Sequence, residues 1–412
     1  MKIKLLAAFS LMLLHTTGGW AQESQYPKWH FNGYGTLGVV HSSEDQADFV
    51  ADVFDPDGAG YNSELSPEVD SRLGLQATVE ITPDLVTFGQ IIFEQRYDGT
   101  WKPDLEWANI RYDFSERLSA RVGRMVLPTF LTSEFRKVGY ALPWIRPPLE
   151  VYRQLPVSSA DAISVGYRFR TGDFNHHLQA LYGRRDLDLP GDDSGEVKAR
   201  ELASLSYTLE RGAMTFISSY STSELTVESF DPLFNGFRQF GPAGEAIAKR
   251  YAVENKRSKL FSVGAQYDPG DWFVMGEMTR STHRSVLGDS YGMYVTGGYR
   301  FGAVIPYLTL ALVDIDSDTS DPGLPVEDLP PALAGPAGAL NAGLNDLLAS
   351  PPAQTSASLG ARWDFAPNFT LKLQFDHLQL DDDSAGLLID TQPGFEPGGT
   401  VMLYSASIDF VF

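Results

Sequence analysis

The chain has 412 residues, no cysteine, 12% aromatic residues, 38 glycines and a formal net charge of -21. Without cysteine it has no disulfide to lock it, and so acidic a balance argues against a nucleic-acid partner. The length usually means two or more soluble domains, but one large barrel would also use it up.

Lys2 and Lys4 precede an apolar run, Leu5 to Leu14, then Gly19-Trp20-Ala21 before Gln22. A charged start, a short apolar stretch and a small-x-small site predict an export signal over 1–21 and a mature domain over 22–412. The run is far shorter than the roughly 20 residues of a spanning helix. No later stretch is apolar enough for one, so any crossing of a bilayer must use strands.

Gly33-Tyr-Gly35-Thr-Leu-Gly38 fits a dinucleotide fingerprint, but no helix begins within it. The glycines are expected to permit close packing in a first strand. From Arg72 the chain reads in twos: Leu73, Leu75, Ala77, Val79 and Ile81 alternate with Arg72, Gly74, Gln76, Thr78 and Glu80. Similar ladders cover Ala203 to Leu209, Ser356 to Phe365 and Phe369 to Asp376. Runs of about ten residues suit tilted bilayer-crossing strands. Pro306 makes the strand near Val304 to Ile315 the weakest of them.

The connections sort into two kinds. Short turns sit at Thr82–Leu85, Ser115–Leu118, Arg170–Phe174, Glu210–Ala213, Asp268–Asp271, Phe301–Val304 and Phe365–Phe369. Between them lie longer segments: 42–70, 98–103, 129–160, 184–198, 224–258, 282–289, 316–353 and 379–399. Segment 337–350 reads as a short external helix. Short turns alternating with long loops, around about sixteen strands, predict an all-β, antiparallel transmembrane barrel with periplasmic turns and external loops. Closure removes every unpaired sheet edge. Tyr112, Phe114, Tyr167, Phe169, Tyr299, Phe301, Trp363, Phe365, Phe369, Phe410 and Phe412 cluster beside the short turns, as an interfacial girdle would. Such a barrel is wide enough for an aqueous lumen.

The third long connection, about 128–160, differs from the others. It carries Phe130, Leu131, Phe135, Trp144, Ile145 and Leu149 beside Glu134, Arg136, Lys137, Arg146, Glu150 and Arg153. Apolar groups of that size are rarely left in water, so the loop is expected to fold inward, its charges lining a constriction. Arg72, Arg121 and Lys372 fall on polar strand faces.

Segments 42–70, 316–353 and 379–399 hold many carboxylates and no Lys or Arg; Glu44, Asp45, Asp48, Asp52, Asp55, Asp57, Glu64, Glu68 and Asp70 come from the first. These read as solvated surface, or as oxygen ligands for divalent cations bridging to lipopolysaccharide. Asp314-Ile-Asp316-Ser-Asp318 lacks the glycine and glutamate of a calcium loop, and His176-His177 has no partner cluster for a metal. No resident cofactor is expected, and no nucleophile elbow or zincin motif is present.

The last strand puts Met402, Tyr404, Ala406, Ile408, Phe410 and Phe412 on one face and Leu403, Ser405, Ser407, Asp409 and Val411 on the other. Tyr404, Ile408, Phe410 and Phe412 resemble the C-terminal assembly signal by which the insertion machinery of Gram-negative outer membranes recognises its clients. With the layout of the whole mature chain, and with Glu134-Phe135 in the third loop, this resembles the Gram-negative general porins. That family has sixteen-stranded trimeric channels with the third loop folded inside, its acidic groups opposite a basic wall cluster. The resemblance implies Arg72, Arg121 and Lys372 for that cluster, facing Glu134 and Glu150. Ser133, Arg136 and Lys137 depart from that family's Pro-Glu-Phe-Gly-Gly loop tip, and the second loop looks too short for its intersubunit latch. The resemblance implies an outer-membrane homotrimer, in contact with lipid and lipopolysaccharide, that passes ions and small hydrophilic solutes without chemistry. The alternatives are a substrate-selective porin, for an anion or aromatic acid, and a barrel enzyme with a Ser/His/Asp set at its rim.

Overall fold

The computed structural model describes residues 26–191, 195–349 and 352–412; the expected export signal lies outside them. Sixteen long antiparallel strands form one sheet that closes on itself. In chain order they are β1 (Lys28–Ser42), β2 (Arg72–Thr82), β3 (Leu85–Phe93), β4 (Asp104–Asp113), β5 (Leu118–Val126), β6 (Ser159–Thr171), β7 (Phe174–Asp188) and β8 (Glu196–Arg211). The ring continues with β9 (Met214–Val227), β10 (Lys256–Tyr267), β11 (Trp272–Thr282), β12 (Ser290–Tyr299), β13 (Val304–Ile315), β14 (Gln354–Ala366), β15 (Phe369–Leu380) and β16 (Thr400–Val411).

Each strand pairs with its sequence neighbours, and the seam joins β1 to β16 from Tyr34↔Val411 to Ser42↔Leu403. Gly33 and Gly35 lie under the Phe412 and Phe410 rings there. A Cβ added at Gly33 would stand 2.2 Å from Phe412 Cζ, and one at Gly35 would stand 2.4 Å from Phe410 Cζ. Large rings covering bare backbone let the two strands meet without a void. The fingerprint glycines are therefore packing devices.

Alternation sets the two faces of the wall. One parity exposes Phe31, Leu37, Ile163, Tyr182, Leu205, Leu308, Leu359 and Leu373. The other holds Ser219, Ser262, Glu277, Thr296, Thr309, Lys372, Asp376 and Asp409, all buried. Apolar outside and polar inside is the inverse of a soluble protein and matches a lipid-facing barrel. Tyr112, Phe114, Tyr299, Phe301, Trp363, Phe369 and Phe412 are exposed at the short-turn end. Pro306 is accommodated because the β12–β13 ladder stops at Gly298↔Tyr307, so its missing N–H is not needed.

The long-loop end carries helices. α1 (Leu149–Tyr152) lies in the third long loop, α2 (Asp231–Arg238) and α3 (Gly241–Tyr251) in the fifth, and α4 (Pro331–Leu348) in the seventh. Phe234, Phe237, Ala248, Tyr251, Leu324, Leu344 and Leu348 form the core of that cap. The helix expected at 337–350 is therefore longer and starts earlier, because Pro331 is tolerated in the first turn. Among the described residues no helix is long and apolar enough to cross a membrane.

Candidate functional site

The third loop leaves β5 at Leu127 and runs along the inner wall. Phe130, Leu142, Trp144, Val151 and Tyr152 pack against Leu260, Phe273, Met275, Tyr294, Tyr307 and Ala311, which face inward on β10–β13. Ile145 is also buried, whereas Phe135 is exposed. Polar bonds fix the same contact. The Trp144 indole N–H is shared between the Thr296 and Thr309 hydroxyls, 3.0 Å from each. Glu277 accepts from Tyr152 (2.5 Å), Tyr294 (2.8 Å) and the Leu131 amide (2.8 Å). Arg362 donates to the Tyr140 and Leu142 carbonyls at 2.6 and 3.1 Å.

Three of the residues expected at a constriction belong to this anchorage instead. Lys372 is fully buried and gives its protons to the Gly139 and Trp144 carbonyls (2.6 Å each), with Asp409 3.1 Å away. Arg146 is bound by Asp70 at 2.9 and 2.5 Å. Glu150 accepts from Gln354 (2.9 Å) and Ser356 (2.6 Å). A buried charge needs a partner, and each of these has found one between loop and wall. They are the bolts of the loop rather than its open face.

The opposite wall is different. Arg111, Arg121, Arg168, His177 and Gln179, from β4–β7, line a cavity at the short-turn end together with Glu134. Arg111 and Arg121 both lie over the Phe88 ring, 5.5 Å from its centre. Thus Glu134 and Arg121 do face one open space, and Arg111 and Arg168 are further cations there. The sequence signal for these two was a charge at inward parity in a strand.

Between the two regions, Lys137 reaches across to the facing side, 2.5 Å from Glu94 at the end of β3 and 3.2 Å from Glu106 on β4. Burial alone would lower the Lys137 ammonium, but these two carboxylates hold it above its ordinary value. Arg72 lies 3.7 Å from Glu94, in the same network. On the long-loop side of Lys137 is a second cavity, of about 290 Å³, lined in part by Arg136, Arg153, Asp52 and Asp55.

The first long loop also turns inward. Ala47, Phe49 and Ala59 pack on Leu378, Leu380, Val401 and Leu403, and the Arg146 guanidinium sits over the Phe49 ring at 5.0 Å. The acidic segment 42–70 is therefore not only solvated surface. Asp48 and Asp70 are buried, and Glu68 accepts from Gln95 at 2.9 Å. Loss of water raises the Asp52 carboxyl, against the pull of Arg136, Lys137 and Arg153. The same loss of water, with the charge of Asp52, lifts Asp55 well above the usual carboxylate range. No group of three or more metal-ligating side chains occurs among the described residues.

The closed ring of sixteen strands, the two kinds of connection and the wall-bound third loop define a class: the outer-membrane-type barrel with the general-porin fold. Solved structures share it. The chain is similar to Salmonella typhi OmpF in its complex with daunomycin, at TM-score 0.56 and 12% identity, covering 94% of this chain and 98% of that one. It is also similar to in-vitro folded OmpT, an outer membrane protein of Vibrio cholerae, at TM-score 0.52 and 11% identity over 95% of this chain and 100% of that one. No protein-family profile matches the chain, and no curated protein sequence does.

Proposed function

We propose that this protein is a porin of a Gram-negative outer membrane: a water-filled channel for passive diffusion of ions and small hydrophilic solutes. One observation carries the reading. The third loop is bolted to β9 and β11–β16, while the facing wall of β4–β7 borders a cavity in which Glu134 meets Arg111, Arg121 and Arg168. A narrowed aqueous passage with cations on one side and a carboxylate on the other sorts solutes by size and charge. Assembly as a homotrimer, contact with lipopolysaccharide and delivery through the C-terminal signal belong to the same proposal.

Purified protein in a planar bilayer tests it. Stable ohmic steps support the channel; membranes that stay silent at saturating protein reject it. The rival enzymatic reading needs a serine, a histidine and a carboxylate in series. His283 comes nearest, but its ring nitrogens meet Ser258 (3.1 Å) and Ser281 (2.7 Å). No ring nitrogen is left for a carboxylate, so the channel is preferred.

A further inference from the structure

The cavity on the long-loop side of Lys137 lies between two inward-folded loops. The first supplies Asp52 and Asp55, the third Arg136 and Arg153. The other charges around it are largely satisfied by ion pairs. Glu94 and Glu106 hold Lys137, with Arg72 beside Glu94. Arg96 and Arg185 stand beside Asp104, at 3.5 and 3.9 Å. Arg124 pairs with Asp161, Arg146 with Asp70, Asp186 with Arg200 and Lys102 with Asp98. Glu68 accepts from Gln95, and Asp188 is exposed.

The four loop residues are the exception. Arg136 donates to the Leu155 and Pro156 carbonyls, at 3.2 and 2.7 Å, and Arg153 to the Leu387 carbonyl. Asp52 accepts the Phe54 amide at 3.2 Å, and Asp55 accepts the Asp52 amide at 2.9 Å. Among the described residues, none of the four enters an ion pair. All are half-buried, and their charges act across the space. Arg136, Lys137 and Arg153 draw on Asp52, while Asp52, Asp55 and Glu150 draw on Arg153. Opposed charges that have not closed into contact leave a field across the gap, and low-dielectric walls concentrate it.

We propose that Asp52 and Asp55, facing Arg136 and Arg153, form a second charge-sorting station, in series with the one where Glu134 meets Arg111, Arg121 and Arg168. This deepens the porin reading and rests on it, because only a passing ion would sense both. The third loop plays opposite parts in the two stations. At Glu134 it is the acidic side; here it is the basic side, and the first loop supplies the acid.

The second station should also respond to pH. Loss of water raises Asp52, against the pull of Arg136, Lys137 and Arg153. Loss of water raises Asp55 too, helped by Asp52 and Glu94 and opposed by Arg72. As pH falls through that raised range the aspartates lose their charge and the arginines keep theirs. Sorting then turns toward anions.

Reversal potentials of the protein in a planar bilayer, under a salt gradient, test this. Between about pH 8 and about pH 6, both above the ordinary carboxylate range, wild type should shift several-fold toward anions. Asp52→Asn/Asp55→Asn, checked for a native circular dichroism spectrum, should favour anions already at the higher pH and lose most of the pH response. The Glu134→Gln shift should be equal in both backgrounds. The chain has no cysteine, so Asp55→Cys gives a second readout. A charged methanethiosulfonate reagent added on the long-loop side should change its conductance in steps. A double variant with the wild-type ratio and pH response, or an Asp55→Cys channel that the reagent leaves unchanged, would overturn the station and leave the channel standing. A Glu134→Gln shift that vanishes in the double variant would merge the two stations into one. Silent wild-type membranes would sink the channel and this station with it.

Discussion

Arg146 grips Asp70 with two parallel bonds, Nε to Oδ1 at 2.9 Å and Nη2 to Oδ2 at 2.5 Å, with both side chains buried. The pair joins the third loop to the end of the first, and Asp376 stands 3.5 Å from the same guanidinium. Removing one partner of a buried pair strands the other charge, at about 3–5 kcal/mol. Arg146→Met should therefore lower the thermal transition and make single-channel current noisy as the loop loosens. The double variant Asp70→Asn/Arg146→Met should recover much of the loss. Equal melting of wild type and Arg146→Met would refute this anchoring role.

A second prediction concerns charge selection. A unit charge about 4 Å from a passing ion is worth on the order of 1 kcal/mol in a wet lumen. Arg121→Gln should thus move the permeability ratio several-fold toward cations, and Glu134→Gln several-fold toward anions. Reversal potentials across a salt gradient read both; shifts of the same sign would contradict the opposed arrangement. Lys372→Met should leave the ratio alone and lower stability instead, because Lys372 touches the loop backbone and not the passage.

The third is a pH dependence. The Asp52 and Asp55 carboxyls are raised in the folded loop, chiefly because they are removed from water. A raised value means that the folded loop holds protons the unfolded chain would release. The stabilisation is therefore complete below the ordinary carboxylate value and is lost as pH rises through the raised one. Protease nicking of segment 42–70 should increase as pH climbs over that window, and Asp55→Asn should flatten the rise. Nicking that is greatest in acid would reverse the sign and reject the account.

The fourth tests the seam. Gly33→Val would drive side-chain atoms into the Phe412 ring, which lies 2.2 Å from a Cβ at that position. Overpacking of this kind costs typically about 1–3 kcal/mol. The variant should refold into detergent more slowly and melt lower, and pairing it with Phe412→Ala should relieve part of the strain. Strict additivity of the two changes would show that ring and glycine do not interact.

Most of the wall was legible because period-two alternation is a property of neighbouring residues. Leu73 to Ile81 and Met402 to Phe412 announce their faces without reference to any partner. The short turns, the girdle and the inward lean of the third loop followed from the same local signals. Residue roles within the loop did not. Arg146, Glu150 and Lys372 looked like open charges because Asp70, Gln354 and Asp409 lie on other segments, and register across a barrel is not written in either segment alone. One clue was present: Leu260, Phe273, Met275, Tyr294 and Tyr307 break the polar parity of four adjacent strands, β10 to β13. Apolar side chains on an otherwise wet face mark where the loop must lie. Helices α2 and α3 escaped notice because Pro232, Gly236, Gly241 and Gly244 read as loop residues, whereas packing of Phe234 and Phe237 in the cap overrides their poor propensity.

The bond from Thr36 to Asp409, 2.6 Å long, spans 373 positions in sequence. Contacts that remote carry the largest loop-closure entropy and are made late. The cylinder therefore has no early half-closed form protected by its own edges: until the two outermost strands find each other, both present bare N–H and C=O groups to any passing strand. Any escort of such a polypeptide would therefore have to shield two edges at once, and to release them together.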